Sequence, residues 1–209
     1  MNEEINDLLK QYLYIPIGLP GCGKSTFFKV MRDNEDFPTK LASPDKIREE
    51  YYPGYEAGEI PFADIDQELI FLEAERRMED YLLDGFNVWF DALNLYYKSR
   101  LVLFHRGEAI NNGPLRPRIM HYVLIKMTMP LEIIKERQKC RANHRRPPLE
   151  KLEKMQKLFD AETNNNLYFS ERSEIWNLEW ENEWKIRNEV PEKCRILVER
   201  INQQFREED

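Results

Sequence analysis

At 209 residues, 42% of them hydrophobic, the chain can bury one full core and is too short for a second domain of ordinary size. A net charge of -7 argues against a general nucleic-acid coat, whose nonspecific affinity comes from counterion release by Lys and Arg. The cysteines, Cys22, Cys140 and Cys194, are widely spaced with no C-x-x-C pair, which implies neither a zinc site nor a disulfide framework and fits a reducing cytosol.

The N-terminus Met1-Asn2-Glu3-Glu4 is acidic and no apolar run approaches a membrane span, so a soluble, cytoplasmic protein without a signal peptide is expected. Tyr12 to Ile17 then reads as an apolar strand. Pro16 is awkward there, because proline removes a ladder donor, and it belongs at the strand's end or facing an edge. Gly18-Leu19-Pro20-Gly21-Cys22-Gly23-Lys24-Ser25 follows, a complete G-x-x-x-x-G-K-S phosphate loop, and Thr26 to Met31 opens a helix behind it. In such a loop the glycines Gly18, Gly21 and Gly23 let backbone N–H groups turn toward the β-phosphate of a nucleoside triphosphate. Lys24 reaches the β/γ oxygens and the Ser25 hydroxyl is placed to ligate Mg²⁺. Cys22 sits where the helix N-terminus favours anions. Its thiol is reactive if exposed and silent if buried.

Lys40 to Ser43 is a short second strand, and Asp45 and Arg48 lie just past it. An aspartate at the carboxyl end of a strand beside the loop strand faces the crevice that holds the phosphates, where it can take a proton from an acceptor hydroxyl. The same spacing also suits an N-cap aspartate with an i,i+3 salt bridge. Asp64 with Gln67 resembles a capping box, and Ile65, Leu69, Leu72 and Met78 recur at helical spacing until Gly85 stops the helix. Asn87 to Asp91 is a buried third strand ending in a carboxylate, suited to hold a metal-bound water or simply to turn the chain. Ala92 follows Asp91 where motor and transporter ATPases usually place a water-activating Glu, and a guanine-reading Asn-Lys-x-Asp is absent. Group transfer to a bound acceptor remains, and it needs a general base and cations over the transferring group.

Met120 to Met127 is a fourth strand, and Pro130 opens a helix carrying Ile133 and Ile134. A basic stretch from Lys135 to Lys151 includes Arg137, Arg141, Arg145 and Arg146. Arg137 and Arg141, one turn apart, suit the equatorial oxygens of a phosphoryl group or simply a solvated helix face, and Arg145 or Arg146 extends the clamp in the first case. Pro147-Pro148 interrupts before Leu149, Leu152, Met155 and Phe159 mark another helix. Asn164-Asn165-Asn166 marks a loop. Ile175 to Glu179 reads as a fifth strand whose Trp176, Leu178 and Trp180 share one face, and Val190, Cys194, Leu197, Ile201 and Phe205 stripe a closing helix. The predicted fold is α/β: a parallel sheet of about four or five strands of the P-loop NTPase type, flanked by helices. One domain spans 1–209, with a helical lid over about 135–160 and a C-terminal strand and helix over about 174–207.

The loop from Gly18 to Thr26, then Asp45-Lys46-Ile47-Arg48, then Phe90-Asp91-Ala92-Leu93-Asn94-Leu95 with Arg100, then Glu136 to Arg141 before a proline-terminated basic stretch, resembles the polynucleotide 5′-hydroxyl kinase family. The resemblance covers about residues 12 to 160. It implies a stand-alone ATP- and Mg²⁺-dependent kinase acting on a 5′-OH end of DNA or RNA. Asp45 is then the general base, Arg48 holds the acceptor's phosphate and orients that base, and Arg137 and Arg141 contact the ATP phosphates from a lid. The family's Asp-Ala-Thr-Asn is Asp91-Ala92-Leu93-Asn94 here, so a threonine hydroxyl near the acceptor is missing. The acidic charge and the missing threonine leave open a related kinase with a small acceptor such as a nucleoside, nucleotide sugar or antibiotic. An ATP-responsive binding module with little transfer activity is a further alternative.

Overall fold

A computed structural model describes residues 10–33, 38–113, 119–141, 146–165, 171–180, 183–187 and 192–207. Its elements are β1 (Lys10–Ile17), α1 (Lys24–Arg32), β2 (Thr39–Ala42), α2 (Pro44–Tyr51), α3 (Gln67–Leu83), β3 (Asn87–Phe90), α4 (Tyr97–Asn111), β4 (Ile119–Thr128), α5 (Leu131–Lys139), α6 (Leu149–Asn165), β5 (Ser173–Trp180), β6 (Trp184–Ile186) and α7 (Glu192–Glu207). The sheet has the order β2-β3-β1-β4-β5-β6, all neighbours parallel except the β5/β6 pair. The expected α/β architecture is therefore present with a sixth strand added. β6 returns antiparallel from β5, with Trp180 opposite Trp184.

Strands β1, β3 and β4 are apolar on both faces because helices cover both. On one face Phe27 and Phe28 of α1 pack against Trp89, which neighbours Tyr14, itself near Trp176. On the other, Phe104 of α4 packs against Tyr122 in a tilted pair with ring centroids 4.7 Å apart. Gly107 is required at that contact, since a Cβ there would lie 2.7 Å from the Tyr122 hydroxyl oxygen. Burial pushes the Tyr14 hydroxyl and, to about 12, the Cys194 thiol above their ordinary pKa values.

Several sequence expectations shift. The N-cap of α3 is Asp66, whose side chain accepts from the Leu69 N–H at 3.0 Å, while Asp64 ends a short 3₁₀ turn, Phe62–Asp64. With the register moved, Ile70, Ala74, Met78 and Leu82 form the buried stripe, and Leu69 and Leu72 are exposed. Gly85 does stop the helix, in the left-handed region at φ 87°. Pro130 is the N-cap of α5, one position before the expected N1. Asn164 and Asn165 continue α6, and helix α4 had no counterpart in the sequence reading. Val190, Asn166 and the Phe205 side chain lie outside the described residues. Among the described residues no helix is long and apolar enough to cross a membrane.

Pro16 sits near the end of β1, as its missing donor requires. The registered pairing of β1 with β3 stops at Tyr14 opposite Trp89. Beyond it, the buried Asn94 amide donates to the Pro16 carbonyl at 2.8 Å and the Phe90 carbonyl at 3.2 Å, and the Gly18 N–H donates to the Leu93 carbonyl at 3.3 Å. Asn94 has φ 50°, the only positive φ outside glycine among the described residues, and asparagine tolerates it better than most residues. Asn94→Gly should keep that backbone and lose the amide bonds, whereas Asn94→Ala loses both. Urea unfolding should place Asn94→Ala below Asn94→Gly by about 1 kcal/mol, with both below wild type. An alanine variant at least as stable as the glycine variant would refute the clasp.

Candidate functional site

The three segments that sequence reasoning singled out leave the carboxyl ends of adjacent parallel strands: the loop after β1, Asp45 after β2 and Asp91 after β3. That edge is where doubly wound sheets bind ligands. Gly21 and Gly23 take φ of 89° and 98°, and a Cβ on Gly18 would lie 2.6 Å from the Cys22 sulfur. The loop is thus closed to side chains at all three positions. Its backbone turns into the N-terminus of α1, with Gly23 as the N-cap. Lys24 is buried and its Nζ donates to the carbonyls of Gly18 and Leu19 at 2.8 and 2.9 Å.

Ser25 is exposed at the start of α1, and Thr26 beside it is half-buried. The Asp91 carboxylate lies near Ser25 and feels the Lys24 ammonium and the Asp45 carboxylate. Burial dominates and raises the Asp91 pKa above the ordinary value. The Asp45 charge adds to the rise, while the Lys24 charge opposes it. Among the described residues no cluster of three His, Cys, Asp or Glu side chains forms a metal cage. A hydroxyl beside one carboxylate is nevertheless a donor pair suited to Mg²⁺, which keeps most of its shell as water and phosphate oxygen.

Asp45 is not an N-cap. Ser43 caps α2, its side chain accepting from the Lys46 N–H at 3.5 Å, and Pro44 fills the first turn. Asp45 instead presents a carboxylate whose side chain is 55% exposed, and its partner is the Arg48 Nη1. The Arg48 guanidinium is buried and fixed from its other side by Gln67 Oε1, at 3.1 Å from Nε and 2.8 Å from Nη2. Gln67, read from sequence as half of a capping box, is therefore the residue that orients the arginine.

Helix α5 ends at Lys139, so Arg137 and Arg141 do not share a helix face: Arg141 follows the C-cap Cys140 in a tighter turn. Arg137 Nη1 donates to the Gly21 carbonyl at 3.2 Å, and its guanidinium lies 5.4 Å from the Trp180 ring centroid. Burial lowers its pKa, partly opposed by the nearby Cys22 thiol. Gln138, not anticipated, donates to the Pro20 carbonyl at 2.6 Å. Arg141 Nη1 and Gln138 Oε1 are enclosed without a hydrogen-bond partner among the described residues, as groups that await an anion or a donor would be. Arg146 does not join a clamp. It caps the turn instead, donating to the carbonyls of Lys139 and Arg141 at 2.7 and 2.9 Å. Arg145 lies outside the described residues. Arg100 is wholly buried and donates to the Asn94 and Leu95 carbonyls at 2.8 and 2.6 Å, so it supports the loop after β3.

A family profile described as AAA domain matches residues 13–161. No curated protein matches the chain. Among solved structures, one of the Pnkp1/Rnl/Hen1 RNA repair complex is 20% identical with a TM-score of 0.59, over 78% of this chain but only 47% of that one. Chaetomium thermophilum Kti12 in complex with ADP-AlF3 gives 12% and 0.58 over 93% and 97% of the two chains, and a putative kinase from Chloroflexus aurantiacus gives 13% and 0.57 over 95% and 98%. At these identities the likeness establishes the fold, a P-loop kinase-like one.

Cys22 is fully buried, so the reactive-thiol alternative is not met, while Cys140 is exposed and Cys194 buried. Titration of native protein with a thiol reagent should therefore show one fast thiol, abolished by Cys140→Ser, with Cys22 and Cys194 reacting only on unfolding. A fast reaction mapped to Cys22 would contradict the loop's packing.

Proposed function

The chain belongs to the AAA domain family, and on that footing we propose that it is an ATP- and Mg²⁺-dependent kinase that transfers the γ-phosphoryl group to a hydroxyl, foremost the 5′-OH of a DNA or RNA end. The observation that carries this reading is the position of Asp45: an exposed carboxylate, held by a buried arginine, just past the end of β2, whose Ala42 carbonyl accepts from the Asp91 N–H. A transferase needs such a carboxylate to take the proton of the acceptor hydroxyl, and the Glu with which motor and transporter ATPases activate water is replaced by Ala92.

On this reading the loop N–H groups and Lys24 bind the triphosphate, Lys24 exchanging its contacts with loop carbonyls for phosphate oxygens. Ser25 and, through water, Asp91 hold Mg²⁺, which neutralises phosphate charge. Asp45 accepts the proton of the attacking hydroxyl as the O–P bond forms and the β–γ bridge oxygen departs with ADP. Arg48 keeps the carboxylate aimed and gives an acceptor phosphate a cationic partner. Arg137 and Arg141 approach the loop from the end of α5, where guanidinium groups stabilise charge spread over the equatorial oxygens. Cys22 contributes volume beneath the loop. Thr26 extends the N–H array as α1 begins.

Transfer of labelled γ-phosphate should be measured against 5′-OH DNA, 5′-OH RNA, nucleosides, nucleoside 3′-phosphates and sugar nucleotides. Asp45→Asn should lower transfer by roughly three decades, within the range of a lost general base, while Mg-ATP affinity stays within about two-fold. Parallel loss of ATP affinity and rate would assign Asp45 a structural task. Phosphorylation of a free nucleoside or sugar nucleotide but no polynucleotide end would replace the acceptor in this reading by a small molecule.

Arg141→Ala tests the enclosed guanidinium separately. Removing one cation from a transferring phosphoryl group should reduce kcat by about two decades or more with little change in thermal stability. An unchanged kcat would leave Arg141 as ordinary surface.

A further inference from the structure

Beside Arg48, two aromatic rings face solvent where aromatic side chains are ordinarily covered. Phe62, in the 3₁₀ turn before α3, is 47% exposed, and Phe71 of α3 is 39% exposed. The Arg48 guanidinium lies 5.4 Å from the Phe62 ring centroid and 5.9 Å from that of Phe71. Lys151, the first-turn lysine of α6, brings its ammonium within 5.8 Å of the Phe62 ring. The local sequence keeps these rings outside. The α3 register fixed by the Asp66 cap turns Ile70 and Ala74 inward and leaves Phe71 out, and Gln67 holds Arg48 between the two segments.

We infer that Phe62 and Phe71 form a stacking wall for the nucleobase of the acceptor's terminal nucleotide, with Arg48 and Lys151 as the cations that meet its phosphate. This rests on the kinase reading above and names the acceptor class of that site as a nucleic-acid end. A 5′-hydroxyl at Asp45 brings its own base into the neighbourhood of Arg48, the partner of Asp45, whose guanidinium lies 5.4 and 5.9 Å from these two ring centroids. Exposed aromatics interleaved with Arg and Lys are the surface by which single strands are held. Stacking is tolerant of base identity because every base has a π-face. A flat π-face that can stack on such a wall is what a nucleobase brings and a bare sugar ring lacks.

The test compares kcat/KM for 5′-OH oligonucleotides whose first residue carries a base or is abasic, in wild type, Phe62→Leu, Phe71→Leu and Phe62→Trp. Wild type should prefer the base-bearing substrate by about ten-fold or more, as one stacked base commonly contributes. The leucine variants should shrink that preference several-fold, Phe62→Trp should retain it, and Lys151→Ala should weaken both substrates alike. Because the readout is a ratio between two substrates, a general loss of folded enzyme cancels. Wild-type transfer with no preference for the base, or a preference untouched in both leucine variants, overturns the wall and leaves the kinase intact. No transfer to either oligonucleotide, with transfer to a small hydroxyl compound instead, overturns the wall and the polynucleotide reading together.

Discussion

The phosphate loop runs from the end of β1 into the start of α1, and at its β1 end it is tied by a short bridge from the loop that follows β3. Asn94, buried with a positive φ, spends its amide on the Pro16 and Phe90 carbonyls, and Leu93 offers its carbonyl to Gly18. Proline at position 16 leaves no N–H to pair there, so the side-chain amide completes what the ladder cannot. Arg100, buried on α4, then secures the Asn94 and Leu95 carbonyls from behind. The missing threonine hydroxyl at Leu93 is therefore no loss to this bridge, because residue 93 acts through its backbone. Asp91 is held from the other neighbour of β3, its N–H donating to the Ala42 carbonyl at 2.8 Å at the end of β2.

Charges of both signs are moved away from their ordinary ionisation by burial at the site: Asp91 upward and Arg137 downward. Each shift marks a group whose charged form is under-solvated. In the proposed reaction a polyphosphate with its metal supplies what is missing, since it brings anionic oxygens to the arginine and cationic charge to the carboxylate. Meanwhile the loop carbonyls are engaged by Lys24, Arg137 and Gln138. Two of those partners come from the end of α5. The phosphate loop and the helix expected as a lid therefore meet directly, and a nucleotide that draws Arg137 toward its phosphates must compete with the Gly21 carbonyl.

Most of the sheet was legible in the sequence because buried parallel strands are continuous apolar runs, and the loop was legible because its residue types are fixed by backbone geometry and phosphate chemistry. Asp45 with Arg48 was readable only as two equal alternatives. Ser43 takes the cap, while the i,i+3 pair with Arg48 is present and fits both readings. Helix α4 escaped because its buried positions, Arg100, Leu103 and Gly107, are neither uniformly apolar nor large, while Val102 is exposed. The register of α3 was misread because Leu69, Phe71 and Leu72 are apolar and yet exposed. Gln67 and Gln138 were invisible as site residues for another reason: each acts through one directed bond to a partner distant in sequence, which no periodicity reports.

The tryptophan-rich tail shows how a core-forming segment can still shape the site. Trp176 and Leu178 are buried as alternation along β5 requires, but Trp180 at the strand's end remains half-buried beneath the Arg137 guanidinium. The chain then turns back into β6, where Trp184 is pinned at both backbone groups by the Asn202 side chain of α7. From there its ring reaches the phosphate loop: a Cβ built on Gly23 would lie 3.2 Å from Trp184. Gly23 is thus constrained twice, by its φ of 98° and by an indole that leaves a side chain little room. The sixth strand, three residues long and the only antiparallel one among the described residues, lets the C-terminal helix brace the loop from a direction that the parallel strands cannot reach.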